Sequence, residues 1–172
     1  VSADHICFFT CGRMNPPTIG HGALVAALTD AAAAEGGEAI VFLTRTKDRD
    51  KNPLPPETKK AFVDRAFGTS ARLTTNPFSA LGELMDQGAR QLVFFVGEDR
   101  RDRFTALIDY AQRGGASLAI RSIPRPYGTS TASQARDLAR SSDLLGFTLI
   151  SPAPDPAFSA DLFAAVRAGF AS

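Results

Sequence analysis

Apolar runs of strand length alternate along this chain with stretches whose apolar residues recur at helical spacing. Asp4 to Thr10, centred on Ile6-Cys7-Phe8-Phe9, is apolar enough for a strand buried on both faces of a parallel sheet. Leu24, Val25, Leu28, Ala31 and Ala32 then predict a helix over His21 to Glu35, closed by Gly36-Gly37. Ala39 to Leu43 reads as a second strand and Arg45 to Pro56 as a polar loop. A helix is expected over Glu57 to Phe67, with Ala61, Phe62, Ala66 and Phe67 as its apolar face. Leu73 marks a short third strand, and Pro77 to Gln87 a helix around Leu81, Leu84 and Met85. Gln91 to Val96 is the clearest central strand. Asp99 is placed to cap the helix after it, whose face is Phe104, Leu107, Ile108 and Ala111. Gly114-Gly115 stops that helix, and Ser117 to Arg121 is a fifth strand. A brief linker, Pro152 to Pro156, precedes a last helix over Ser159 to Ala168.

Five strand–helix alternations with short connections predict an α/β chain with a parallel sheet. Right-handed crossovers restrict it to a Rossmann-like, doubly wound unit with helices on both faces. A single domain over residues 1–172 is expected, with the C-terminal helix from about 159 packed on it. In such sheets ligands bind beyond the carboxyl ends of the strands. Four polar segments fall there: Thr10 to His21, Arg45 to Lys51, Gly97 to Arg103, and Ser122 to Arg136.

Composition narrows the function. With 19 Lys plus Arg against 18 Asp plus Glu, nothing favours extended, sequence-independent nucleic-acid binding, although a local basic pocket for a small phosphorylated ligand is allowed. The apolar runs are too short to span a bilayer, and Asp4 and His5 ahead of the first of them argue against a signal peptide. Two cysteines, Cys7 and Cys11, form no CxxC pair and suit a reducing interior, so a cytoplasmic setting is expected. A homo-oligomer is compatible with these features.

The stretch CFFTCGRMNPPTIGH, Cys7 to His21, runs from a strand through a Gly- and Pro-bearing turn into a helix start. Backbone N–H groups at such a start favour an anion. It lacks both the GxGxxG pattern and the Walker lysine motif, so neither a dinucleotide oxidoreductase nor a P-loop enzyme is indicated. Gly12-Arg13-Met14-Asn15-Pro16-Pro17-Thr18-Ile19-Gly20-His21 resembles the first signature of the HxGH-type nucleotidyltransferases, with Thr18 in place of the first histidine. Threonine at that place is also found in the superfamily. The resemblance assigns His21 to charge stabilisation on the α-phosphate, Thr18 to a hydroxyl donor beside it, and Thr10, Gly12, Arg13, Asn15 and Gly20 to the nucleotide. For Asn15, holding the loop and touching a phosphate remain equal alternatives.

The other three segments extend the same resemblance. Relatives place a basic residue after the second strand, which points to Lys47 in catalysis or Arg45 toward the acceptor; without the resemblance this run reads as a solvated loop. Lys51 to Leu54, followed by Glu57 and a helix, resembles phage-encoded members, for which the setting would be the host cytoplasm. Val96-Gly97-Glu98-Asp99 resembles a glycine-x-aspartate element beside the sugar and base, implicating Gly97 and Asp99, with Arg100 toward an acceptor phosphate. Gly128 to Arg136 resembles the second signature, a Ser/Thr-rich loop ending in lysine, any residue, arginine. Thr131, Ser133 and Gln134 would line the nucleotide and Arg136 would act in catalysis. Gln134 stands where the lysine is usual and brings hydrogen bonds without charge, so Arg125 or Lys47 is left to supply it.

The reaction this implies moves a nucleotidyl group from ATP, or CTP, to a small phosphorylated acceptor. Mg²⁺ would be held mainly by the substrate's phosphates rather than by protein ligands. Nicotinamide mononucleotide is the first choice of acceptor, giving NAD. Phosphopantetheine and a small alcohol phosphate are the alternatives. Tyr127 and Phe78 are the aromatic candidates for stacking on an acceptor ring. A nucleotide sensor without turnover is the reading from a different class, motivated by Gln134. The resemblance predicts that Thr18, His21, Gln134 and Arg136 converge at one end of the sheet.

Overall fold

Adjacent phenylalanines in the first strand point to opposite faces and so define the two sides of the sheet. In the computed structural model, which describes residues 3–124 and 131–172, five parallel strands lie in the order β3-β2-β1-β4-β5 with helices around them. The strands are β1 (Ile6–Gly12), β2 (Glu38–Thr44), β3 (Arg72–Thr74), β4 (Gln91–Gly97) and β5 (Ser117–Ile123). The helices are α1 (Ile19–Glu35), α2 (Pro56–Phe67), α3 (Pro77–Asp86), α4 (Ala106–Arg113), α5 (Ala132–Arg140), α6 (Leu144–Ile150) and α7 (Phe158–Ala171), with a 3₁₀ segment over Glu98–Phe104. No helix among the described residues is long and apolar enough to cross a membrane. The chain divides into two compact units, Val1–Cys11, Leu24–Phe42 and Thr74–Arg125 in one, and Gly12–Ala23, Leu43–Leu73 and Pro126–Ser172 in the other.

In the first unit β1 pairs with β4 so that Phe9 lies opposite Phe94, their rings 4.9 Å apart. Phe42 meets Phe9 edge-on and Phe104 does the same to Phe94. This face closes on Leu81 and Leu84 of α3 and on Leu107 and Ala111 of α4, all fully buried. On the other face Phe8 and Phe95 lie side by side, and the Arg121 guanidinium covers both rings. Arg121 donates to both carboxylate oxygens of Glu35 at the end of α1, so a salt link finishes a cation–π stack. Gly37 passes close beneath, where a Cβ would sit 2.5 Å from the Ile6 carbonyl oxygen.

The second unit has its own core of Leu54, Ala135, Ala139, Phe147, Phe158, Leu162 and Val166. Arg65 of α2 forks onto Asp155 at 2.8 and 2.9 Å and reaches Asp161 of α7 at 3.1 Å. Gly169 of α7 lies so close to Pro53 that an added Cβ would come within 2.1 Å of the Pro53 carbonyl oxygen. Lys59 of α2 is fully buried and donates to the Thr44 carbonyl at 2.6 Å, tying α2 to the end of β2.

Three departures from the pattern reading have physical causes. Asp99 caps no helix. The chain leaves β4 through the 3₁₀ segment, whose first residue follows Gly97, and α4 starts only after Thr105. In α2, Ala61 is exposed, and Lys59 and Val63 are the buried positions. Lys59 is disguised by its charge, which hides the true face from a reading by hydropathy. The helix α6 was not anticipated, because its seven residues, LLGFTLI, bury Phe147 while leaving Leu145 and Leu149 exposed, a pattern without clear period.

Lys59→Ala is expected to cost about 2–4 kcal/mol of unfolding free energy, from a cavity and a lost hydrogen bond together. Lys59→Met, which keeps the stem, should cost about 1 kcal/mol. Denaturant titration checks both: no loss in Lys59→Met would contradict the assigned role of the ammonium, and equal losses in the two variants would contradict the packing of the stem.

Candidate functional site

The loop that leaves β1 is shaped by a buried amide. Asn15 is fully buried; its Nδ2 donates to the Leu54 carbonyl at 3.1 Å and its Oδ1 accepts the Leu54 N–H at 2.9 Å. The side chain thus pairs with Leu54 as a neighbouring strand would. Of the two roles open to Asn15, the geometry supports holding the loop, since a buried amide engaged at both ends does not face a phosphate. Beside it Met14 is buried with φ of 43°, and the Asn15-Pro16 peptide is cis.

Thr18 and His21 form the helix start. The Thr18 carbonyl accepts the first helical bond, from Gly22 N–H at 3.1 Å. The Thr18 N–H donates to His21 Nδ1 at 3.0 Å, and Thr18 Oγ1 lies 3.3 Å from the same nitrogen. A main-chain N–H can only donate, so Nδ1 must present its lone pair. The neutral ring then carries its proton on Nε2, which makes that nitrogen a donor. Thr18 is buried, with its hydroxyl beside the His21 ring.

Helix α5 begins at Thr131, whose hydroxyl accepts the Gln134 N–H at 3.1 Å as an N-cap. Ser133 and Gln134 are exposed on its first turn. Arg136 is half-buried, and its Nη1 donates to the Asn15 carbonyl at 3.0 Å. Burial lowers its pKa from the ordinary arginine value, with the positive charges of Arg140 and Arg13 adding to the effect while Asp137 and Asp48 oppose it. The second signature therefore touches the first through a charged side chain on a main-chain oxygen.

The loop after β2 is a built turn. Asp48 Oδ1 accepts the N–H groups of Asp50, Lys51 and Asn52 at 3.0, 2.6 and 3.2 Å, and Oδ2 accepts Asn52 Nδ2 at 2.8 Å. The Asn52 side-chain donor, followed by these backbone donors, holds the Asp48 carboxyl far below the usual carboxylate range. Arg140, one turn beyond Arg136 on α5, donates to the Asp50 carbonyl and lies over the Phe170 ring.

The remaining predicted residues fall as follows. Gly12 ends β1, and a Cβ there would meet only the tip of Met14 at 3.9 Å, so no close approach requires glycine. Arg13 and Arg45 are exposed, and Lys47, also exposed, reaches Ser172 Oγ at 3.5 Å. Gly20 lies in the first turn of α1, half-buried. Thr10 is buried and donates to the Phe95 carbonyl at 2.9 Å, cross-linking β1 to β4. Gly97 closes β4, and Asp99 and Arg100 lie exposed in the 3₁₀ segment. Phe78 packs edge-on against Tyr110 in a cleft of about 540 Å³ that also contains Glu83 and Asp86, acidic surroundings that do not suit an acceptor phosphate. Tyr127, Arg125 and the Gly128 to Ser130 part of the second signature lie outside the described residues. Asp48, Asn52 and Arg140 were not singled out in the sequence. An aspartate two to four residues ahead of the N–H groups it gathers is an Asx-type turn signal, and Arg136 and Arg140 are spaced to share a helix face.

No family model and no curated protein matches the chain. Solved structures do. Thermotoga maritima TmcAL bound with alpha-thio ATP superposes with a TM-score of 0.63 at 14% identity, covering 92% of this chain and 55% of that one. This chain thus spans about half the length of that protein. Plasmodium falciparum nicotinic acid mononucleotide adenylyltransferase complexed with NaAD superposes with a TM-score of 0.59 at 12% identity, covering 93% and 95%. The chain shares its fold, a five-stranded parallel sheet with helices around it, with these two proteins. Within that fold, the strand-to-helix junction that carries Thr18 and His21 follows β1 in this chain.

Asn15→Ala should lower unfolding free energy by about 2–3 kcal/mol, because both bonds are lost and the Leu54 N–H and C=O stay buried without them. Thermal melts check this, and an unchanged midpoint would show that Asn15 does not carry the loop.

Proposed function

We propose that this protein is an adenylyltransferase that joins AMP from ATP to the phosphate of a small acceptor and releases pyrophosphate. The observation that carries the reading is the bond from Arg136 in the second signature to the main chain of Asn15 in the first, within a nucleotidyltransferase-like fold. A phosphate oxygen of the acceptor attacks the α-phosphorus in line. The bond from that phosphorus to the bridging oxygen of the β-phosphate breaks, and both electrons leave with pyrophosphate. No covalent enzyme intermediate is required.

In this reading His21 donates from Nε2 to an α-phosphate oxygen as negative charge grows there. The Thr18 N–H keeps the ring in the tautomer that can do so. Arg136 adds positive charge and fixes the loop, with Arg13 in its electrostatic surroundings. Ser133 and Gln134, on the exposed first turn of α5, offer a hydroxyl and an amide at a helix N-terminus. Mg²⁺ would supply Lewis-acid neutralisation of the triphosphate. In this reading the ion would be carried mainly by the phosphates, as Mg²⁺ tolerates. Nicotinamide mononucleotide is the preferred acceptor, supported by a structural neighbour whose name specifies nicotinic acid mononucleotide and by the exposed Arg45 and Lys47, which suit a phosphate monoester.

Incubation with Mg²⁺, ATP or CTP and a panel of nicotinamide mononucleotide, phosphopantetheine and glycerol phosphate should release pyrophosphate with ATP and nicotinamide mononucleotide, with NAD identified by mass. Product with phosphopantetheine alone would keep the reaction and replace the acceptor. Tight ATP binding without pyrophosphate from any pair would favour the nucleotide sensor.

His21→Ala should reduce turnover by about 100- to 1000-fold while moving the melting midpoint little. Parallel loss of stability and activity would assign His21 to the helix start alone.

A further inference from the structure

The run from Arg45 to Lys51 places four cationic side chains among two carboxylates, and all of them are exposed. Left to itself such a loop would pair its own charges and sample many shapes. In this loop the Asp48 carboxylate is turned inward on the backbone. All four of its hydrogen bonds come from N–H groups of the same loop, three of them main-chain. Its charge is therefore directed to fixing the turn, while Arg45, Lys47, Arg49 and Lys51 stay on the rim.

Two neighbours make the turn rigid. Asn52 is buried, its side chain donates to Asp48, and its carbonyl accepts the Asp48 N–H at 3.0 Å. Among the described residues the buried Asn52 Oδ1 has no hydrogen-bond partner, so the amide is oriented toward Asp48 at the expense of its other end. From the opposite side Arg140 holds the Asp50 carbonyl. Arg140 shares α5 with Arg136, so one helix grips both the Asn15 loop and the Asp48 loop.

We infer that Asp48 is a positioning residue, whose carboxylate, latched by Asn52, holds the 45–51 loop, itself anchored at the Asp50 carbonyl by Arg140, as a preformed basic rim for the phosphate monoester of the acceptor. The identity of the ligand rests on the nucleotidyl-transfer reading; the latch itself rests on the hydrogen bonds above. A preformed rim binds without first ordering the loop, so its loss should appear in acceptor affinity and not in the handling of ATP.

The test uses the full chain, with pyrophosphate release measured against ATP and against nicotinamide mononucleotide separately. Asp48→Ala is expected to raise the acceptor KM by about tenfold and to leave the ATP KM within about twofold. Asp48→Asn keeps an acceptor oxygen for the three main-chain N–H groups, and the Asn52 amide can turn its unpartnered oxygen toward the new NH₂. It should therefore stay within about threefold of wild type. Arg140→Ala should shift the acceptor KM in the same direction as Asp48→Ala, which guards against a variant that merely folds poorly. Equal changes in both KM values, or none, would overturn the inference. If wild type releases no pyrophosphate with any acceptor, the reaction reading fails by itself. Calorimetry with nicotinamide mononucleotide alone then decides the latch: weaker binding by Asp48→Ala than by wild type sustains it, and equal binding or no binding by wild type overturns it.

Discussion

The paired hydrogen bonds between the Asn15 amide and the Leu54 backbone are the constraint on which the second unit depends. They join the loop after β1 to the segment that enters α2, two stretches 39 residues apart in sequence. Two polar parts of the candidate site hang from this join. Arg136 donates to the Asn15 carbonyl itself, and Asn52, two residues before Leu54, orients Asp48. A buried amide satisfied at both ends is a demanding arrangement, because losing either bond leaves polar groups in an apolar setting. That demand is what gives the loops one shape.

The same logic runs through the described residues of the candidate site, whose polar side chains are fixed on main-chain groups. The nucleotidyl transfer proposed above needs reactants aligned and charge met by fixed donors, with little covalent work for the protein. His21 has its tautomer set by a main-chain donor, Arg136 is held on a main-chain acceptor, and Asp48 serves main-chain N–H groups. In each case the backbone acts as the reference frame for a side chain.

Much of the sheet was legible from sequence because its strands are long apolar runs with sharp glycine boundaries, as Gln91 to Gly97 and Gly36-Gly37 show. The helix start at Thr18 and His21 was legible too, since turn chemistry and a helical period meet there. What stayed hidden was set by tertiary contact. Thr10 looks like a loop hydroxyl, yet its bond to Phe95 depends on a strand 85 residues away. Lys59 looks solvated, yet it is buried against Thr44. Asn15 could not be assigned from its own neighbourhood because its partner is Leu54. The Asp48 turn was local and could have been read, but a run of alternating charges masks a carboxylate that faces its own backbone.

Gly169 gives the C-terminal helix a reach that its composition does not suggest. The residue has no chemistry to offer, and α7 contributes apolar packing. Yet the helix backbone rests directly on Pro53, which is bonded to Leu54, and Leu54 is the partner of Asn15. Pro53, Leu54, Asn15 and Arg136 are thus mechanically in series. A methyl group added at position 169 would push at one end of that series and be felt at the guanidinium at the other.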